Sequence, residues 1–193
     1  MGIPTKSITY EDSLAMPENR FEEIVHGESR IMPPATKKHV YLIESLANAL
    51  RARLNPASYS ILVAGAGLGV ARVPLTYRIA DLIVFRQAAL RQDQATTGET
   101  DPYIWAVPEL VVECLSPSNR KGSIQELLAD YAQIAVPEVW LLDPKLPRFN
   151  SYRLESGSLR EWQTAAGGIV TPLLLTGVTV DLAQLWAAFE GAA

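Results

Sequence analysis

The chain has 193 residues, 48% of them hydrophobic and 20% charged, a balance that suits one folded domain with a sizeable core and excludes a disordered polymer. A net charge of −4 excludes a general basic coat for nucleic acid, because affinity for phosphate backbone comes from Lys and Arg releasing counterions. Local basic patches stay open at Lys37–Lys38–His39, at Arg51 with Arg53, and at Arg120–Lys121, each equally readable as solvated surface. The lone cysteine, Cys114, has no partner within the chain for a disulfide and points to a reducing, cytoplasmic compartment. The polar N-terminal stretch does not read as a signal peptide, and no apolar run approaches the roughly 18 residues of a membrane span.

Residues 8–17 read as a short helix capped by Thr9 and broken by Pro17. FEEIVHGESRIM follows, two alternating runs around His26–Gly27 that predict a hairpin with a positive φ at the glycine. From Lys37 to Leu54 the positions Val40, Leu42, Ile43, Leu46, Leu50 and Leu54 recur at helical spacing, and Asn55–Pro56 ends the helix. Strands are expected over 60–64, 70–74 and 77–85. AGAGLGV before the second reads as a turn rather than a phosphate loop, since no helix with Lys-Ser or Lys-Thr follows it. Residues 87–102 read as a solvated loop or loose helix. AVPELVVECLSPS is a strand. A helix opens at Ser123, where Ser123 and Glu126 match a capping box. VPEVWLLDP is another buried strand, a meander follows, and a helix over 181–189 closes the chain. Near-continuous apolar strands call for a sheet covered on both faces. The order predicts an α/β or α+β fold with a mixed central sheet flanked by helices, in a single domain over 1–193.

Two acids interrupt apolar strands: Asp81 in RIADLIVF and Glu113 in ELVVECL. A buried carboxylate is expensive unless paired, protonated or bound to metal. If the strands are adjacent, the two carboxylates converge and, with the Cys114 carbonyl, suit a hard cation such as Mg²⁺ or Mn²⁺. Such a cation activates water and stabilises charge on a phosphate under hydrolysis. The alternative is that each acid pairs with a local base such as Arg78 or Arg120. His26 reads as a turn residue, Trp105 and Trp140 as packing, and Cys114 as buried and inert.

The runs FEEIVHGE, PPATKKH, RIADLIVF, PELVVECLSPSNRKG and ELLADYAQIAVPEVWLLDP resemble the Uma-two family of putative restriction endonucleases, within the PD-(D/E)XK nuclease superfamily. The resemblance implies a restriction-endonuclease-like core and a metal-dependent endonuclease acting on DNA. It assigns catalytic roles to Glu23 (with Glu22 as the alternative), Asp81 and Glu113, and places His39 at the start of the long helix as a substrate contact. The family's Pro-Asp pair falls on Ala80–Asp81, so only the aspartate is kept. The superfamily's lysine would fall on Leu115 or Leu127, neither of them a base. Lys121, Arg120 or Gln125 then become the expected substitutes, with Lys121 as the catalytic amine and Arg120 as a substrate contact. Two other functions stay open: a degenerate nuclease fold that binds nucleic acid or protein without cutting, and a homodimeric interaction module built on the meander.

Overall fold

The computed structural model describes residues 7–16, 22–63, 65–116 and 121–190. The expected break at Pro17, the Pro117–Ser118 block and Arg120 lie outside the described residues, as does the Lys121 side chain. Helix α1 (Tyr10–Leu14) is closed by a capping box between Thr9 and Asp12. The hairpin β1 (Glu22–Val25) and β2 (Glu28–Ile31) turns at His26 and Gly27, with φ of 53° and 80°. Two consecutive positive φ values match the twist of paired strands and make glycine the natural second residue.

Helix α2 (Lys37–Arg51) buries Leu42, Ile43, Leu46, Ala47 and Leu50, the stripe expected from the spacing. Strands β3 (Tyr59–Val63), β4 (Gly67–Arg72), β5 (Leu75–Ile79) and β6 (Leu82–Arg86) follow. The run read as one strand over 77–85 is thus two strands. The chain bends at Ala80–Asp81 and passes from one sheet to the other. The glycines of AGAGLGV also fall differently from expectation. Gly67 and Gly69 lie inside β4, where a Cβ on Gly69 would come within 2.5 Å of the Trp105 ring. They are strand residues trimmed for an aromatic neighbour, not turn residues.

Helix α3 (Gln87–Thr97) and the short β7 (Tyr103–Ile104) occupy the region read as loop or loose helix. Then come β8 (Leu110–Cys114), α4 (Lys121–Gln133), β9 (Glu138–Asp143), β10 (Arg148–Glu155), β11 (Ser158–Ala165), β12 (Ile169–Val170), β13 (Val180–Asp181) and α5 (Leu182–Glu190). Because α4 begins at Lys121, Ser123 sits inside its first turn. Glu126 makes a paired contact with Arg30 of β2.

The fold is mixed α+β with two large sheets. One has the order β2-β1-β5-β4-β7 and the other β11-β10-β9-β8-β6-β3, with a small β12-β13 pair beside them. The second sheet mixes directions: β8 runs parallel to β9 and antiparallel to β6. Its two faces are covered separately. On one, Leu42, Leu46, Leu82, Val112, Cys114, Trp140 and Leu185 pack together. On the other, Ile83, Val111, Leu128, Tyr131, Val139 and Leu141 do so. Among the described residues no helix is long and apolar enough to cross a membrane.

Leu46 is fully buried at the centre of the α2 stripe, whereas Leu146 is 70% exposed. Leu46→Ala should cost about 2–5 kcal/mol in urea unfolding, and Leu146→Ala at most about 0.5 kcal/mol. Similar losses from both would contradict the packing described.

Candidate active site

The antiparallel register of β6 and β8 pairs Leu82 with Val112 and Ile83 with Val111. One residue further on, that register sets Asp81 beside Glu113. Asp81 itself stands at the bend just before β6, not within a strand, while Glu113 lies in β8. The bend frees the Asp81 carboxylate to turn along the sheet edge. Its Oδ2 accepts the Cys114 N–H at 2.7 Å, and its Oδ1 lies 2.7 Å from His39 Nε2, whose ring N–H donates. His39 comes from the first turn of α2, so this contact joins helix, bend and β8 at one point.

Glu113 accepts a hydrogen bond from the Tyr131 hydroxyl of α4. Its carboxyl is held well above the usual glutamate range, first by burial and then by the negative charge of Asp81, with a smaller push from Glu23. The Tyr131 hydroxyl is raised as well, by burial and by Glu113. Burial together with Asp81 and Glu113 pushes the Cys114 thiol up, in keeping with the inert role expected of it.

Glu23 occupies the middle of β1 and is buried. Its Oε1 accepts the Ile79 N–H at 2.8 Å, and its Oε2 accepts Arg78 Nη1 at 3.0 Å. Glu22 hydrogen-bonds Ser29 across the hairpin instead. Arg78 also donates to Asp130 Oδ2 from Nε at 2.8 Å and Nη2 at 2.6 Å, and its Nη2 lies 3.5 Å from Glu126. Burial alone would lower the guanidinium's pKa. Glu23 and Asp130 outweigh that effect and hold it above its ordinary range. Arg30 extends the network by a paired contact to Glu126, at 2.5 and 3.0 Å.

The expected pairing of Asp81 or Glu113 with Arg78 is therefore not what the structure has. Arg78 is committed to Glu23 and Asp130, and Asp81 is met by His39 and a backbone amide. Arg120 and the Lys121 side chain, expected at the site, lie outside the described residues. Sequence reading missed the Arg78–Asp130 pair, which joins residues 52 apart. Its one signal was an acid, Asp130, on the helix face between Leu128 and Tyr131.

Leu115 and Leu127 both pack as partly buried side chains against the core under α4. Neither side chain carries a charge or a hydrogen-bonding group to offer the two acids. Among the described residues, no group of three or more His, Cys, Asp or Glu side chains is arranged to hold a metal. Two carboxylates that repel each other do fit one hard divalent cation, whose charge would relieve the repulsion, with backbone oxygen and water completing the shell.

A family model described as Uma2, putative restriction endonuclease, matches residues 10–183. Among solved structures, the chain is similar to a putative nuclease belonging to DUF820 from Anabaena variabilis. That likeness has a TM-score of 0.77 and 16% sequence identity, over 94% of this chain and 99% of that one. It establishes the shared restriction-endonuclease-like fold. A search of curated proteins gives no match.

Removing Arg78 would leave Glu23 and Asp130 as uncompensated buried charges. Arg78→Met should lower unfolding stability by about 3–5 kcal/mol. Arg78→Lys should recover only part of it, because one ammonium cannot reproduce the forked contacts. Full stability in Arg78→Met by urea titration would show that the network carries no such cost.

Proposed function

Since this chain belongs to the Uma2 family of putative restriction endonucleases, we propose that it hydrolyses DNA phosphodiester bonds using a Mg²⁺ or Mn²⁺ ion held by Asp81 and Glu113. The single observation that carries the reading is the juxtaposition of these two carboxylates at the end of the β6–β8 pair, with Glu113 raised by burial and then by Asp81. When bound, the ion would supply Lewis-acid activation of a water and charge stabilisation on the phosphate.

The chain's own groups do the positioning. The Cys114 amide and the His39 ring each hold one oxygen of Asp81, which fixes the plane of that carboxylate. Tyr131 fixes one oxygen of Glu113. Both acids are thereby oriented before any ligand arrives, and preorganisation of this kind removes a cost at the moment of reaction. Glu23 contributes at one remove. Its charge is felt at Glu113, but its oxygens are held by Arg78 and the Ile79 amide.

A second reading is favoured by the apolar Leu115 and Leu127 at both expected lysine positions: a nuclease fold that binds nucleic acid without cutting it. The two separate on one experiment. Supercoiled plasmid with Mn²⁺ should be nicked by the wild type and, by Asp81→Ala, at least about 100-fold more slowly. Equal background cleavage by both proteins would end the endonuclease reading. Salt-sensitive gel shifts in the same samples would then favour the binding fold.

A further inference from the structure

With apolar side chains at both expected lysine positions, the site needs a cation from another element. Helix α2 brings one. Its first turn holds Lys37, Lys38 and His39 after the Thr36 cap. His39 is fixed by its 2.7 Å contact to Asp81, so this turn lies directly against the acids. The two lysines differ in setting: Lys37 is exposed, whereas Lys38 is partly buried.

Lys38 stands one helical turn before Leu42, and side chains four apart share a face. Leu42 is packed in the cluster that contains Leu82, Val112 and Cys114, the residues flanking the two acids. Helical side chains lean toward the N-terminus. Lys38 thus stands in line with the Leu42–Leu46 stripe, in the same first turn of α2 that carries the Asp81 contact. Lys38 directly precedes His39, so its flexible four-carbon side chain starts one residue from the group that touches Asp81. The open N–H groups of the helix's first turn add positive potential at the same place.

We propose that Lys38 is the catalytic cation of this site, its ammonium contacting a non-bridging oxygen of the scissile phosphate. The assignment rests on the endonuclease reading above. In the reaction, a water oxygen adds to phosphorus and the P–O bond to one sugar breaks. One proton of that water ends on the departing sugar oxygen, and the other hydrogen stays on the new phosphomonoester. Charge grows on the non-bridging oxygens as the water adds, and a fixed ammonium stabilises that growth.

The test compares purified wild type, Lys38→Ala, Lys38→Met, Lys38→Arg and the surface control Arg160→Ala, all verified by thermal unfolding. Steady-state plasmid cleavage in Mn²⁺ is measured beside Mn²⁺ binding by electron paramagnetic resonance. Lys38→Ala and Lys38→Met should lose about 100- to 1,000-fold in kcat, with Mn²⁺ affinity changed by less than about tenfold. Lys38→Arg should regain part of the rate, and Arg160→Ala should match wild type. If wild type cleaves in a metal-dependent way and both Lys38→Ala and Lys38→Met cleave equally well, Lys38 is not the cation and the endonuclease reading stands. If wild type cleaves no better than Asp81→Ala, the endonuclease reading fails and the Lys38 assignment falls with it.

Discussion

Asp81 and Glu113 are two carboxylates of like charge at the end of one antiparallel strand pair, and their mutual repulsion is the constraint around which the site is arranged. The register Leu82↔Val112 brings them together, and the bend before β6 turns Asp81 along the sheet edge. Burial, and after it repulsion from Asp81, raises the carboxyl of Glu113. Each compensating contact comes from a different element: the Cys114 amide from β8, His39 from α2 and Tyr131 from α4. Helices on both faces of the sheet are thus tied to the same pair of acids. A divalent cation is the simplest further relief, because it turns a repulsive pair into two attractive contacts.

A second charge system lies beside the first and is nearly self-contained. Arg78 joins Glu23 of β1 to Asp130 of α4, and Arg30 joins β2 to Glu126 of the same helix. These contacts dock the hairpin onto α4. They also use up the nearest guanidinium, so Arg78 cannot serve Asp81 or Glu113 directly. Asp130 and Tyr131 are consecutive on α4, one facing each system. That adjacency locks the orientation of α4 to both. It also accounts for the apolar character of Leu127 one turn earlier, which packs the helix onto the sheet.

Much of this arrangement was legible in the amino-acid sequence. The periodicity of α2, the His26–Gly27 hairpin and the apolar runs around Asp81 and Glu113 are local patterns, and local patterns survive folding when a buried face enforces them. Other features were hidden for definite reasons. The bend's one marker is Asp81 itself, which read as an acid within a strand, so RIADLIVF read as one strand. Gly67 and Gly69 looked like turn residues because the rings that crowd them, Tyr103 and Tyr77 at Gly67 and Trp105 at Gly69, come together with them only in the folded sheet. The Arg78–Asp130 pair spans 52 residues, and no spacing rule links partners brought together only by tertiary packing. Glu126 matched a capping box locally, and its pairing with Arg30 is a tertiary contact that no local pattern shows.

Under the proposed function, Asp81 and Glu113 would together hold one divalent cation. Anomalous diffraction from a crystal soaked in Mn²⁺ tests it most directly. A single anomalous peak beside the Asp81 and Glu113 carboxylates, absent in Asp81→Ala crystals, is the expected result. A wild-type crystal soaked to saturation with no peak between these carboxylates, or with the ion elsewhere, would contradict it.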